Sequence, residues 1–237
     1  MDRSFHIRPL VITTALASFA IAACLQLPAQ GDPPPGNAVA EAAPLQPTAR
    51  DRRIARMISM LMPRYHVSTT DLDDTISQRA LNLYLDRFDP LKLYFNQSDV
   101  DEFSTARNKI DDTIREGDLS LAYRIFDRFT ARVDERVRIA LELLDGDFDF
   151  TKDDFIVVDA DVAKYARNTE EVKDRWRRQL KYALLDLQDD DTIGEEAKDL
   201  LRRRYQRYAR RFKNYDNDDI LEAYLTSITS AFDPHST

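Results

Sequence analysis

The 237 residues, 43% hydrophobic and 32% charged, suffice for one domain of ordinary size with a buried core and are too apolar for a chain disordered throughout. A formal net charge of -8 gives a field that disfavours nucleic acid and anionic lipid as general partners. One cysteine excludes an internal disulfide, and three histidines without paired spacing give no zinc motif, so no metal or cofactor is expected.

The N-terminus reads as an export signal. Arg3 and Arg8 precede an apolar run from Leu10 to Ala23, shorter than the ~20 residues of a membrane-spanning helix. Ile21-Ala22-Ala23-Cys24 resembles the bacterial lipobox, which implies a signal peptide over 1–23 and lipid attachment at Cys24. Ordinary cleavage near Ala22 or Ala23, leaving a secreted chain, is the alternative. Leu25 after the cysteine, in place of aspartate, favours the outer membrane over the inner in the lipoproteins this leader resembles. Residues 24–49 form a second region, a Pro- and Ala-rich tether containing Pro33-Pro34-Pro35 and lacking apolar periodicity.

From Arg50 to the end, apolar residues recur at three- and four-residue steps, which predicts an all-α domain over 50–237. About seven helices in antiparallel hairpins are expected: Arg50 to Met62, Asp71 to Phe88, Asp99 to Arg115, Leu119 to Leu144, a stripe from Val172 to Leu187, Glu195 to Lys213, and Asp218 to Ala231. The helix from Leu119 carries Ala122, Phe126, Phe129, Val133, Val137, Leu141 and Leu144 on one face. Asn168 and Glu171 are spaced as a capping box before the next stripe. Phe155-Ile156-Val157-Val158 is the one strand candidate.

Few residues suggest chemistry. His66 reads as a lone surface histidine. Asp145-Gly146-Asp147-Phe148-Asp149 opens like a calcium loop, but Phe150 replaces the turn glycine and Ile156 the bidentate glutamate, so a solvated connection is expected. Asp189-Asp190-Asp191 and Asp216-Asn217-Asp218-Asp219 precede helices and read as caps. The run from Arg202 to Arg211 interleaves arginine with tyrosine, as nucleic-acid sites do, yet Leu201, Tyr205, Tyr208 and Phe212 fall on one helical stripe. A solvated helix, without a nucleic-acid partner, is the better reading. No Gly-x-Ser-x-Gly elbow or Ser-x-x-Lys spacing is present.

Three segments together resemble the N-terminal domain of the tail-specific, or C-terminal processing, serine proteases. The first is Phe88-Asp89-Pro90 followed by Tyr94-Phe95-Asn96-Gln97-Ser98-Asp99, in which Pro90 ends one helix and Ser98 caps the next with Asp101 at the third position of the box. The second is Phe148 to Asp153 with Val157-Val158-Asp159. The third is Asp233-Pro234-His235-Ser236-Thr237. The resemblance implies an all-helical N-terminal domain of a periplasmic protease. In that family a PDZ module engages the C-terminal tail of the polypeptide substrate, and a Ser-Lys dyad cleaves it. Both are expected beyond Thr237, which would leave this chain without a catalytic residue and inactive alone. The competing reading is a noncatalytic envelope lipoprotein, a scaffold or adaptor that binds an envelope protein.

Overall fold

The computed structural model describes residues 45–65, 71–189 and 194–233, which form eight helices. They are α1 (Ala49–Tyr65), α2 (Asp74–Phe88), α3 (Gln97–Ser104), α4 (Ile110–Glu116), α5 (Ser120–Leu144), α6 (Thr169–Asp189), α7 (Gly194–Lys213) and α8 (Asn217–Phe232). The signal segment, Cys24, most of the tether, His66, Pro234 and His235 lie outside the described residues. The all-α expectation holds.

Each boundary has a local cause. Asp73 caps α2 by accepting the Ile76 N–H at 3.0 Å. Asp89, restricted by the proline that follows it, leaves the helical region (φ −139°, ψ 62°) and ends α2. Asn168 Oδ1 accepts the Glu171 N–H at 2.9 Å, as the capping-box spacing predicts. The return bond from Glu171 reaches the Arg167 N–H at 3.0 Å instead of that of Asn168. At α8 the box is complete: Asp216 Oδ1 accepts the Asp219 N–H and Asp219 Oδ2 accepts the Asp216 N–H, both at 3.0 Å.

Three expectations need correction. The single helix over Asp99 to Arg115 is two, α3 and α4, which raises the total by one. At the break, the Thr105 Oγ1 hydroxyl donates to the Glu102 carbonyl at 2.7 Å and so competes with the helical ladder, while the Asn108 side chain accepts from Gln78 of α2 at 3.0 Å. The cap of α3 is Asn96 rather than Ser98, which lies exposed inside the helix. The Asn96 N–H donates to Asp99 Oδ2 at 2.9 Å, and Asp101 accepts from the Gln97 side chain. Finally, Phe155 to Val158 is not a strand. A strand needs a partner, and the Phe155 carbonyl is taken by the Arg178 guanidinium at 2.8 Å. The isolated bridge among the described residues pairs Asn96 with Ala166.

Two apolar cores result. The larger gathers α1, α2, α4, α5 and α8 around Tyr84, Phe88, Phe126, Phe129 and Tyr224, with Phe212 of α7 added. The smaller joins the end of α5 to α6 and α7 around Leu144, Trp176, Leu180, Leu184 and Leu201. Tyr94 and Tyr205 pack against both. The α7 stripe faces inward as its spacing predicts, and Arg202 pairs outward with Asp145, Glu195 and Asp199. No described helix is long and apolar enough to cross a membrane.

Candidate functional site: a carboxylate-anchored turn and the cleft beside it

The turn between α2 and α3 is built around one buried carboxylate. Asp89 Oδ1 accepts the N–H of Leu93 at 2.7 Å, and Oδ2 accepts those of Tyr94 and Phe95, each at 2.9 Å. Lys92 adopts the left-handed conformation (φ 55°) that lets the chain fold back over the carboxylate, and its N–H donates to the Asp89 carbonyl. Burial pushes the Asp89 carboxyl up to about 6, against the three N–H donors and the positive field of Arg136. The exposed Pro90 stiffens the turn, while Phe95 is wholly buried against Phe103 and Phe129.

Other helices converge on this turn. From α5, the buried Arg136 donates through Nη2 to the Tyr94 carbonyl and to Asn96 Oδ1, both at 2.7 Å. Burial lowers the Arg136 pKa. From α6, Trp176 Nε1 donates to the Leu93 carbonyl at 3.2 Å, and Arg175 reaches the carbonyls of Lys92, Lys164 and Tyr165. From α7, Tyr208 stacks on Tyr94 with ring centroids 5.4 Å apart.

Asp99, only 1% exposed, is the second anchor. It receives Arg132 Nε at 2.8 Å and Nη2 at 2.9 Å, and Arg128 Nη1 at 2.6 Å. Burial favours its neutral form, but hydrogen bonds from Arg132, the Asn96 N–H and Arg128 outweigh it and hold the carboxyl below its ordinary range. Arg128, Arg132 and Arg136 thus form one stripe of α5 at four-residue spacing that locks α3 and the turn together.

The connection 145–168 is pinned to α6. Asp154 accepts both Nη atoms of Arg177, at 2.7 and 2.9 Å, and the Lys181 ammonium at 2.7 Å. Lys181 is buried and also donates to the Lys152 carbonyl at 2.5 Å. The hydrogen bond that Asp154 accepts from Arg177, helped by Lys181 and opposed by burial, holds its carboxyl well below the usual range. Between this connection, the turn and α6 lies a cleft of about 640 Å³, lined by Lys92, Lys164, Arg167, Glu171, Arg175 and Arg178 among others. A smaller cleft of about 230 Å³ adjoins it, with Leu91, Leu93, Phe155, Ile156, Val157 and Val162 in its wall.

The structure therefore brings Asp89, Pro90, Tyr94, Phe95, Ser98 and Asp99 into one joint, where they hold backbone and neighbouring helices. Asp233 follows α8 in an extended conformation (φ −157°, ψ 131°), half-buried. Sequence reasoning missed Arg136, Trp176, Asp154 and Lys181 as members of the site. The signal was present as cations at four-residue spacing, 128-132-136 on α5 and 177-181 on α6, beside apolar stripes. The aspartates of 145–149 are all exposed, and no group of three His, Cys, Asp or Glu among the described residues could hold a metal.

These features define an all-helical domain whose two cores are joined through an Asp-Pro turn, with no regular sheet among the described residues. Residues 57–237 match the model of the tail-specific protease N-terminal domain. The chain is 31% identical over 173 residues to the tail-specific protease of Haemophilus influenzae, an alignment covering 73% of this chain and 25% of that protein. The chain belongs to the tail-specific protease N-terminal domain family. It spans about a quarter of the length of that curated relative.

Proposed function

We propose that this chain is the helical scaffold of a tail-specific serine protease of the bacterial envelope, tethered to a membrane by lipid on Cys24. In this reading the helices support the PDZ and protease domains and help enclose the polypeptide substrate, whose peptide bonds are attacked by a serine nucleophile through an acyl-enzyme route in catalytic machinery outside residues 1–237. The observation that carries it is the joint at Asp89. A buried carboxylate holding three backbone N–H groups, with Arg136, Trp176 and Tyr208 arriving from three other helices, is a device for fixing helix positions. Family membership and the lipobox-like leader support the rest.

The test is to isolate from native membranes the polypeptide that carries this sequence. Its intact mass and its cleavage of a reporter with a free C-terminal tail are then measured. The expected result is a lipidated species well above 27.4 kDa that cuts the tailed reporter and spares one that lacks the tail. A lipidated species of the chain's own mass, without co-purifying cleavage, overturns the protease reading and leaves an envelope adaptor.

A further inference from the structure

The connection 145–168 carries a main-chain edge that the domain does not use. The N–H and C=O groups of Ile156, Val157 and Val158 form no hydrogen bond with the described residues. Their side chains are of the kinds that favour strands, and the flanking apolar residues stand in solvent: Phe155 is 56% exposed, Val157 50% and Val162 56%. Exposed apolar residues occur singly on any surface. Here they cluster along a free edge and in the wall of the smaller cleft.

Charge gives the second half of the site. In a chain of net charge -8, the adjoining cleft presents Lys92 and Lys164, neither of which forms an ion pair with a carboxylate among the described residues, although the Lys92 charge acts on Asp86. The Lys92 ammonium meets the Ala160 carbonyl at 3.3 Å and the face of Tyr165, and so lies beside the edge. The edge is also held in place: Asp154 is clamped by Arg177 and Lys181 at one side, and Arg175 grips the Lys164 carbonyl at the other. A pre-positioned segment loses little freedom when it binds.

We propose that residues 155–164 are a docking site for an extended polypeptide, which adds to the free edge as a strand, lays apolar side chains in the smaller cleft, and sets an acidic side chain against Lys164 and Lys92. The inference rests on the protease-scaffold reading, and it identifies the occupant as substrate polypeptide in an unfolded form.

The probe is a labelled peptide of alternating valine and threonine ending in glutamates, with its C-terminus amidated, titrated against the full chain by fluorescence anisotropy. Binding is expected, and it is expected to weaken about tenfold or more when alternate peptide amides are methylated, in Val157→Pro, and in Lys164→Glu. Circular dichroism melts of both variants are expected to match the parent, since both side chains are exposed. Absence of binding, or equal binding by Val157→Pro and by the methylated peptide, overturns the proposal. Self-association of the chain that Val157→Asp abolishes also overturns it, by making a second copy the occupant. If the peptide fails to bind while the membrane-extracted protein still cuts tailed reporters, the docking site alone falls and the scaffold reading stands.

Discussion

Arg136 ties α5 to the turn that precedes α3: its Nη2 lies 2.7 Å from the Tyr94 carbonyl oxygen, in a position without solvent access. The same nitrogen bonds Asn96 Oδ1 at 2.7 Å, Nη1 is 3.2 Å from Glu135, and Nε has no partner. A buried guanidinium with one unsatisfied nitrogen is costly in itself. Its retention is explained by what it holds, a carbonyl and a cap side chain in the segment linking the two cores.

Arg136→Met keeps much of the volume and removes the donors. The Tyr94 carbonyl is then left buried without this partner, so a loss of about 2–4 kcal/mol is expected. Urea unfolding measures it, with Arg138→Met as an exposed control on the same helix. Equal midpoints for the two variants would show that Arg136 holds nothing.

Asp89 and Asp99 are expected to respond to pH in opposite senses. The folded pKa of Asp89 is raised to about 6, so its contribution is full below the ordinary value of 3.8 and is lost as pH rises through about 6. The folded pKa of Asp99 is lowered, so its contribution is present above 3.8 and is lost as pH falls through the lower folded value. Urea midpoints across this range should show the advantage of wild type over Asp99→Asn shrinking in acid, and its advantage over Asp89→Asn growing. Parallel slopes for the two differences would contradict the assigned environments.

Helix positions were legible in the sequence because apolar spacing is a local signal, and Phe126, Phe129, Val133 and Val137 all reach the core. The break at residues 105–109 was not. Phe103 and Ile110 lie seven residues apart, so the apolar pattern continues through it and only the polar competition of Thr105 marks it. The joint was half legible: Asp-Pro announces a helix end and the three N–H groups that Asp89 accepts lie within six residues of it, but the arginines that find Asp99 depend on α5 arriving from far along the chain. The run 155–158 shows the reverse failure. Its residues favour a strand, yet strand formation depends on a partner that propensity does not supply.

Gly117 and Gly194 separate two causes of glycine dependence. Both have positive φ, 74° and 65°. A Cβ at Gly117 would sit 2.6 Å from the Arg52 carbonyl oxygen on α1, whereas one at Gly194 meets nothing within 4 Å. Gly194→Ala should therefore cost about 1 kcal/mol, the left-handed penalty alone. Gly117→Ala should cost clearly more, about 2–4 kcal/mol, because α1 and α4 must separate. Thermal unfolding of the two variants gives the comparison, and equal losses would mean that the α1 contact yields freely.

Among the described residues Asp154 is the single carboxylate bonded to both Arg177 and Lys181, and the side chain of Lys181 is 3% exposed. Asp154→Ala leaves that ammonium with only the Lys152 carbonyl, itself on the segment being released. Breaking a buried pair from one side costs about 3–5 kcal/mol when the surroundings cannot relax. Here the connection can move, and local opening relieves the buried charge at less cost than global unfolding. The expected signature is therefore regional: chymotrypsin should cut near Phe155 many times faster in Asp154→Ala than in the parent, with the thermal midpoint lowered only modestly. Asp154→Ala combined with Lys181→Met should recover part of the lost midpoint, because the uncompensated charge is gone, while cleavage near Phe155 stays fast, because the clamp is still absent. A double variant as resistant to cleavage as the parent would show that the connection is held by something other than this clamp.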